Sequence, residues 1–348
     1  MFTQLLPIFI ASLTTLVAIQ LLRPFAVSIN LLDTPSDRKL HSGSIPLIGG
    51  ITMYIGVVVS ILVLPYNLNE FNYFLLTSLI LIAIGVLDDH RDISVSLRLF
   101  FQVLVAVIIV SLGGINITSL GSLFGNSEIL LNEWSYFISV IAIITGMNAV
   151  NMADGIHGLA GGNSLITFLA ILFLSIGSIS HPALLITLLF CSVLPVFLIH
   201  NLCLGLPESK RIFMGDAGSM FVGMGIAWSL INLSQGELQI FDPIIALWLF
   251  AIPIFDLISV IIRRMASGNS PFQADILHMH HLLLHLGMKH RNVLLTILLF
   301  SLLMAVIGIL GVQYEVAESV MFYGFIVIFV IYMYTYKVLI IKIKDNGK

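Results

Sequence analysis

The sequence predicts an all-α, polytopic membrane protein of about eleven transmembrane helices, with its N-terminus outside and its C-terminus in the cytoplasm. Three observations lead there. Of 348 residues, 59% are hydrophobic and 9% charged, with a mean hydropathy of +1.08, more apolar surface than a water-soluble domain of this length can hide. Windows of about 20 apolar residues, the length that crosses hydrocarbon, recur along the whole chain. Finally, all 15 Lys and Arg residues fall in alternate connections between those windows.

The windows lie near residues 3–22, 45–64, 70–87, 99–114, 134–150, 159–178, 182–200, 217–234, 243–262, 292–311 and 318–340. No basic segment precedes the first and no small-residue cleavage site follows it, so it reads as a retained span. The fifth carries Gly146 and Asn148 inside it. Basic residues occur at Arg23, Arg38 and Lys39; Arg91 and Arg98; Lys210 and Arg211; Arg263, Arg264, Lys289 and Arg291; and Lys337, Lys342, Lys344 and Lys348. The opposite connections hold only acids: Glu70, Glu128, Glu133, Glu237, Asp242, Glu315 and Glu318. By the positive-inside rule the basic side is cytoplasmic. Cys191 and Cys203 suggest neither a disulfide framework nor a thiolate metal site. There is no soluble domain, linker or repeat, nothing points to nucleic acid, and the net charge of -3 says little about partners.

The unusual polar residues collect on the basic side. The predicted loops 23–44, 88–98, 151–158, 201–216 and 263–291 bring there Asp33 to His41, the pair Asp88-Asp89 that ends an apolar run, and Asn148 to Gly162. They also bring Phe213-Met-Gly-Asp-Ala-Gly-Ser219, Asp256 and His278-Met-His-His281. Adjacent carboxylates at the lip of a span repel one another and are costly to desolvate, so a cation is expected beside them, a metal ion first of all. Asp88 and Asp89 can supply oxygen ligands or a base. Asp216 opens a span between glycines, where helix N-terminal amides favour phosphate; an ordinary N-cap competes as a reading. Asn148, Asn151 and Asp154 share one helical face if the fifth helix continues that far, a row suited to a metal or a sugar nucleotide; packing through small residues explains its glycines alone. His278, His280 and His281, with Arg263, Arg264 and Lys289, suit a diphosphate clamp; solvated surface histidines and a zinc site are the competing readings. Asp256 also suits a salt bridge with Arg263. Together these clusters imply a phosphate-rich substrate handled with Mg²⁺ at the membrane surface, one partner being a lipid.

At these residues the chain resembles the polyprenyl-phosphate N-acetylhexosamine-1-phosphate transferases. The matching features are Asp88-Asp89, Asn148-Ala-Val-Asn-Met-Ala-Asp-Gly155, Gly215-Asp-Ala-Gly-Ser219, Pro253-Ile-Phe-Asp256 and Ser270-Pro-Phe with His278-Met-His-His281, in family order over nearly the whole chain. The resemblance implies transfer of a sugar 1-phosphate from a UDP-sugar to undecaprenyl phosphate, with release of UMP, at the cytoplasmic face of a bacterial inner membrane. The His-x-His-His form is similar to the N-acetylglucosamine branch, which starts O-antigens and enterobacterial common antigen, rather than the muramoyl-pentapeptide branch. It further implies Mg²⁺, with Mn²⁺ as an alternative, held by Asp216 and Asn151, and Asp88 and Asp89 against the lipid phosphate. Phe213 would stack on uracil, Asp154 would line the nucleotide pocket with Asn148, and Arg264, His278, His280 and His281 would hold sugar or diphosphate. Two positions depart from the family pattern: His157 stands where an acid is usual, and Arg98 where a lysine can occur. A homodimer is compatible with such helices.

A secondary transporter is the competing class, since it too combines spans with intramembrane acids. Its sites belong near the bilayer midplane at repeat-related broken helices, whereas here the acids gather at one face and no repeat is seen.

Overall fold

The structure, a computed structural model, describes residues 2–33, 43–63, 71–125, 127–176, 182–270 and 277–346. Arg38, Lys39 and His41, Glu70, the Pro271-Phe272 part of the Ser270 motif, and Lys348 lie outside the described residues.

The described chain is mainly helical, with one two-stranded pairing and an isolated bridge between Ser119 and Leu130. Helices α1 (Phe2–Ser28), α2 (Gly49–Val63), α3 (Asn72–Arg91), α4 (Val95–Ser111), α5 (Ser135–Ala153), α6 (Leu159–Leu174) and α7 (Pro182–Asn201) are followed by α8 (Gly215–Ser234) and α9 (Pro243–Leu249). Then come α10 (Ala251–Ala266), α11 (Met279–His285), α12 (His290–Gln313) and α13 (Glu318–Asn346). The strands β1 (Leu32–Asp33) and β2 (Ile45–Pro46) pair antiparallel, Asp33 opposite Ile45.

Among the described residues, seven helices are long and apolar enough to cross a membrane, or eight if the bent pair α9–α10 counts as one span. Helices α2, α4 and α6 are apolar but shorter, at 15, 17 and 16 residues. At 1.5 Å rise per residue each falls short of the roughly 30 Å of hydrocarbon, which is why a window scan counts more spans than a length criterion does. The predicted ninth window, 243–262, is broken by an 84° bend at Phe250. The break frees the Leu249 carbonyl, and Thr167 of α6 donates its hydroxyl to it at 2.9 Å. That is the compensation an interrupted apolar helix requires.

Helix α8 is the axis of the fold. In its apolar window 94% of residues are buried, against 11% for α13 at the periphery. Small residues allow its neighbours to close in: Gly50 of α2 faces Gly218, Gly85 of α3 faces Ala217, and Gly146 of α5 faces Gly223. Dispersion and close contact, rather than water exclusion, hold helices together in lipid, and small residues are the means. Farther along, Phe221 of α8 meets Tyr54, Phe74 and Phe190, and Phe190 stacks on Phe168 with centroids 4.6 Å apart. Because α8 begins at Gly215-Asp216, the elements gathered around its N-terminus decide what surrounds that carboxylate.

Candidate active site

The last turn of α3 and the tight connection after it bring two acids and an arginine to the N-terminus of α8. Helix α3 ends with Asp92 in the left-handed region (φ 52°), its N–H returning to the Asp88 carbonyl, and Ser94 caps α4 by accepting the Leu97 N–H at 3.3 Å. This turn folds Arg98 back so that Nη1 lies 3.2 Å from Asp88 Oδ2 and 4.0 Å from Asp216 Oδ2. Asp88 Oδ1 accepts the Ile93 N–H at 3.1 Å. The Asp88 side chain is 3% exposed while Asp216 is 32% exposed. Of these two partners of Arg98, Asp216 is therefore the one open to a ligand.

Asp89 has a different environment. Its Oδ1 accepts the Asp216 N–H at 2.8 Å and its Oδ2 the Ala217 N–H at 3.3 Å. It thus caps α8 from another helix, the cap residue in sequence, Met214, making no side-chain cap of its own. Gly215 adopts φ +72°, and a Cβ there would run into the Asp89 carboxylate, so glycine is required on both counts. The first-turn amides that the sequence offers to a phosphate are occupied by Asp89 instead. Charge explains why: the partial positive charge of the helix start and a carboxylate suit each other.

Helix α5 continues to Ala153 with Asp154 as its C-cap. Asn151 Nδ2 donates to Asp216 Oδ1 and, at 2.9 Å, to Ser219 Oγ, which donates to the Asp216 carbonyl at 3.2 Å. Asn148, one turn earlier, donates to Gln102 of α4 at 2.8 Å and to the Ile144 carbonyl at 2.9 Å; these bonds tie α5 to α4 rather than to the acids. Asp154 is reached by solvent, but from within a crevice crowded by protein atoms. Low-dielectric surroundings first, then the negative charges of Asp216 and Asp33, push its carboxyl up to about 7. Asp33, buried in β1, thereby joins the electrostatics of the site.

Phe213 is fixed from both sides by the backbone. Its N–H donates to Pro46 of β2 at 2.9 Å and its carbonyl accepts the Gly49 N–H at 2.8 Å. Its ring meets that of His157, centroids 5.0 Å apart and 34° from parallel. Asn201 holds this wall from behind, accepting the Gly158 N–H at 2.7 Å and donating to the Ile212 carbonyl at 2.9 Å.

The histidines at the start of α11 form a second group packed against the turn between α5 and α6, where a Cβ on Gly155 would strike the His280 ring. Asp256 repeats the logic of Asp89. Its Oδ1 accepts the Met279 N–H at the start of α11 (2.8 Å) and the Tyr332 hydroxyl (3.3 Å), while its Oδ2 meets His278 Nδ1 at 2.8 Å. His278 rather than Arg263 is the partner of Asp256; Arg263 Nε donates to the Tyr336 hydroxyl at 3.0 Å, and that hydroxyl donates to the Leu277 carbonyl at 2.7 Å. Arg264, 7% exposed, lies in the last turn of α10. The His280 and His281 rings are 4.0 Å apart. Burial first, then the neighbouring imidazoles, brings His280 down to about 3 and His281 to about 4. Both are neutral near pH 7, so they offer hydrogen bonds rather than the positive charge of a cationic clamp.

A pH effect follows from these two rings. Their folded pKa values lie below the unfolded value of about 6.5, so the unfolded chain binds more protons between about pH 6.5 and pH 4. Stability is expected to fall as pH is lowered through that window and to be full above it. Thermal unfolding at pH 7.5 and pH 5 should show the drop, and His281→Asn should flatten it; an equal drop in that variant would refute the assignment.

Within the site, the structure brings together Asp88, Asp89, Arg98, Asn151 and Asp216, sets Asp154 in electrostatic range, and pairs His157 with Phe213. Ser219, Asp33, Asn201, Asp256, Tyr332 and Tyr336 complete it. Ser219, Asp33 and Asp256 stand inside or beside the polar motifs, whereas Tyr332 and Tyr336, one turn apart in an apolar helix, carry no local signal.

Comparison with known proteins identifies the family. The profile described as Glycosyl transferase family 4 matches residues 71–234, from α3 to α8. A protein of Haemophilus influenzae named undecaprenyl-phosphate α-N-acetylglucosaminyl 1-phosphate transferase is 39% identical over 335 residues, 95% of this chain and 93% of the relative. Proteins of the same name from Yersinia pestis (36% over 340 residues, 97% and 92%) and Escherichia coli K12 (36% over 317 residues, 90% and 86%) are similar throughout. With such identity along almost the full length, the chain belongs to the undecaprenyl-phosphate α-N-acetylglucosaminyl 1-phosphate transferase family and is a membrane-embedded phosphoglycosyl transferase.

Proposed function

We propose that this enzyme transfers N-acetylglucosamine 1-phosphate from UDP-N-acetylglucosamine to undecaprenyl phosphate, releasing UMP and leaving a lipid-linked diphosphate sugar that starts a cell-surface glycan. The reading places the site at the cytoplasmic face of a bacterial inner membrane, with the three shorter apolar helices completing eleven spans. What carries it is the Asp216 carboxylate, open to a ligand and set between the Asn151 amide and the Arg98 guanidinium.

A divalent metal is part of the proposal. Asp216 offers open carboxylate oxygens, and its charge reaches Asp88, Asp89 and Asp154. Mutually repelling carboxylates and amide oxygens suit a hard ion such as Mg²⁺ or Mn²⁺. Asp216 would hold it, with Asn151 joining once its amide turns to present Oδ1 in place of the Nδ2 that faces Asp216, and when bound it would supply charge neutralisation to the diphosphate. Asp88 keeps Arg98 aimed at the reacting phosphates, and Asp89 keeps α8 and Asp216 in place. The Phe213 ring gives the uracil a face to stack on, bordered by His157. His278, His280 and His281 hydrogen-bond the sugar, with Arg264 as the nearby cation.

In the reaction a lipid phosphate oxygen attacks the β-phosphorus, forming one P–O bond as the bond to UMP breaks. The second pKa of a phosphate monoester is about 6, so little proton removal is needed. A covalent aspartyl intermediate would need a free carboxylate oxygen. Asp89 gives both of its oxygens to backbone amides, and Asp88 gives its own to Arg98 and Ile93. Asp88 and Asp89 are thereby disfavoured as nucleophiles, and attack by the lipid phosphate itself is the route of this proposal.

The test is transfer of radiolabel from UDP-N-acetylglucosamine to undecaprenyl phosphate by purified protein, with Mg²⁺ or EDTA. Lipid-extractable label matched by UMP and abolished by EDTA is expected. No transfer from any UDP-N-acetylhexosamine or muramoyl-pentapeptide donor by folded protein would overturn the proposal and lead to a transport assay. In the same assay Phe213→Ala is expected to raise KM for the UDP-sugar roughly tenfold, as loss of base stacking costs about 1–3 kcal/mol. An unchanged KM would remove the stacking role.

A further inference from the structure

We propose that the chain carries a second, non-catalytic phosphate-binding site behind the Phe213 wall. A pocket of about 170 Å³ is lined by Arg23, Ser44, Glu208, Ser209 and Arg211 among others. None of them belongs to the catalytic cluster. Between the two regions runs the β2 strand, whose Pro46 accepts the Phe213 N–H.

Each guanidinium in the pocket is anchored at one end and idle at the other. Arg23 Nη2 donates to the Ser209 carbonyl, whereas Arg23 Nη1 is buried without a hydrogen-bond partner among the described residues. Arg211 Nη2 meets Glu208 Oε1 at 3.4 Å, whereas Arg211 Nε is likewise buried and unpartnered. Buried cationic N–H groups are rarely left without an acceptor, and these two belong to arginines of different elements that both line one cavity, into which a turn of either guanidinium would carry them. The lining carries two guanidinium groups against one carboxylate, and that carboxylate, Glu208, is 76% exposed and mostly in solvent.

Phosphate is the chemistry that answers both. Its tetrahedral oxygens can accept from two guanidinium groups at once, and serine hydroxyls on the wall can donate to the remainder. Arg23 lies near the end of α1, a candidate membrane span, and Val27 one turn on is 56% exposed. At such a depth the phosphate is either that of an anionic lipid head group or a soluble one. The inference does not depend on the transfer reaction.

The experiment uses the full chain in detergent. Native mass spectrometry after equilibration with mixed phosphatidylglycerol and phosphatidylcholine counts the retained lipids, and ³¹P NMR line broadening follows inorganic phosphate. Arg23→Gln and Arg211→Gln are each expected to weaken retention about tenfold, the effect of removing a charge-assisted bond. Glu208→Gln is expected to strengthen it by removing the one acid. Selective retention of phosphatidylglycerol with this pattern identifies a lipid head group; the same pattern for inorganic phosphate without lipid selectivity identifies a soluble phosphate. Should Arg23→Gln not fold, Arg211→Gln and Glu208→Gln, on the loop before α8, decide the matter by their opposite signs. Wild type that prefers neither probe, or variants that leave retention unchanged, would overturn the proposal.

Discussion

Asp216→Asn is expected to lower turnover by roughly 10²–10³-fold, the range found when one preorganised electrostatic group is removed from a reacting centre, while leaving the fold intact. The side chain is 32% exposed and shares its neighbourhood with Asp88, Asp89 and Asp154. Neutralising it relieves repulsion among those acids, so thermal stability should hold or rise slightly. The cap on α8 is untouched, because it uses the backbone N–H of residue 216 rather than its side chain. The measurement pairs label transfer with an unfolding curve. Wild-type turnover would remove Asp216 from the chemistry; loss of turnover in step with loss of stability would make it a structural residue.

Asp89→Ala is expected to do the reverse of what two neighbouring catalytic acids suggest, costing stability and activity together. It deletes both acceptors of two first-turn amides of α8 and leaves those N–H groups uncompensated at the start of the most buried span. Loss of a helix cap costs about 1 kcal/mol, and hydrogen bonds to a charged group about 1.5–3 kcal/mol. A destabilisation of about 2–4 kcal/mol is accordingly predicted, with a fall in turnover because Asp216 loses its fixed position. Asp89→Asn keeps one carbonyl acceptor and should recover part of both. Faster amide exchange in the first turn of α8 would locate the damage. An Ala variant with wild-type unfolding but no turnover would return Asp89 to direct contact with the substrate.

The same acid type therefore does two jobs, and the contrast shows where the sequence stops being informative. Asp88-Asp89 reads as a matched pair of ligands or bases, since adjacent residues share one local context. Packing separates them. Asp88 turns toward Arg98 from the next helix, and Asp89 turns toward the start of α8, 127 residues farther on. Asp256 shows the effect again: its natural partner in sequence, Arg263, goes to Tyr336, and His278 takes its place.

The sequence by itself determined the membrane class, the approximate course of the apolar helices, and the residue types of the site. Those properties rest on composition, on segment length and on motifs within a few residues of one another, all of which are local. The expected shared face of Asn148, Asn151 and Asp154 is met only in part, since α5 runs on to carry Asn151 but ends at Ala153, and Asn148 turns to Gln102. Only the tertiary structure decided which carboxylate stays open to a ligand, that the helix amides are already taken, that Asn148 ties to Gln102, and that His280 and His281 are neutral. Each of those depends on burial and on partners brought from distant helices. Free energies of hydrogen bonding and desolvation are set by what surrounds a group in space, and its neighbours in the chain do not fix that.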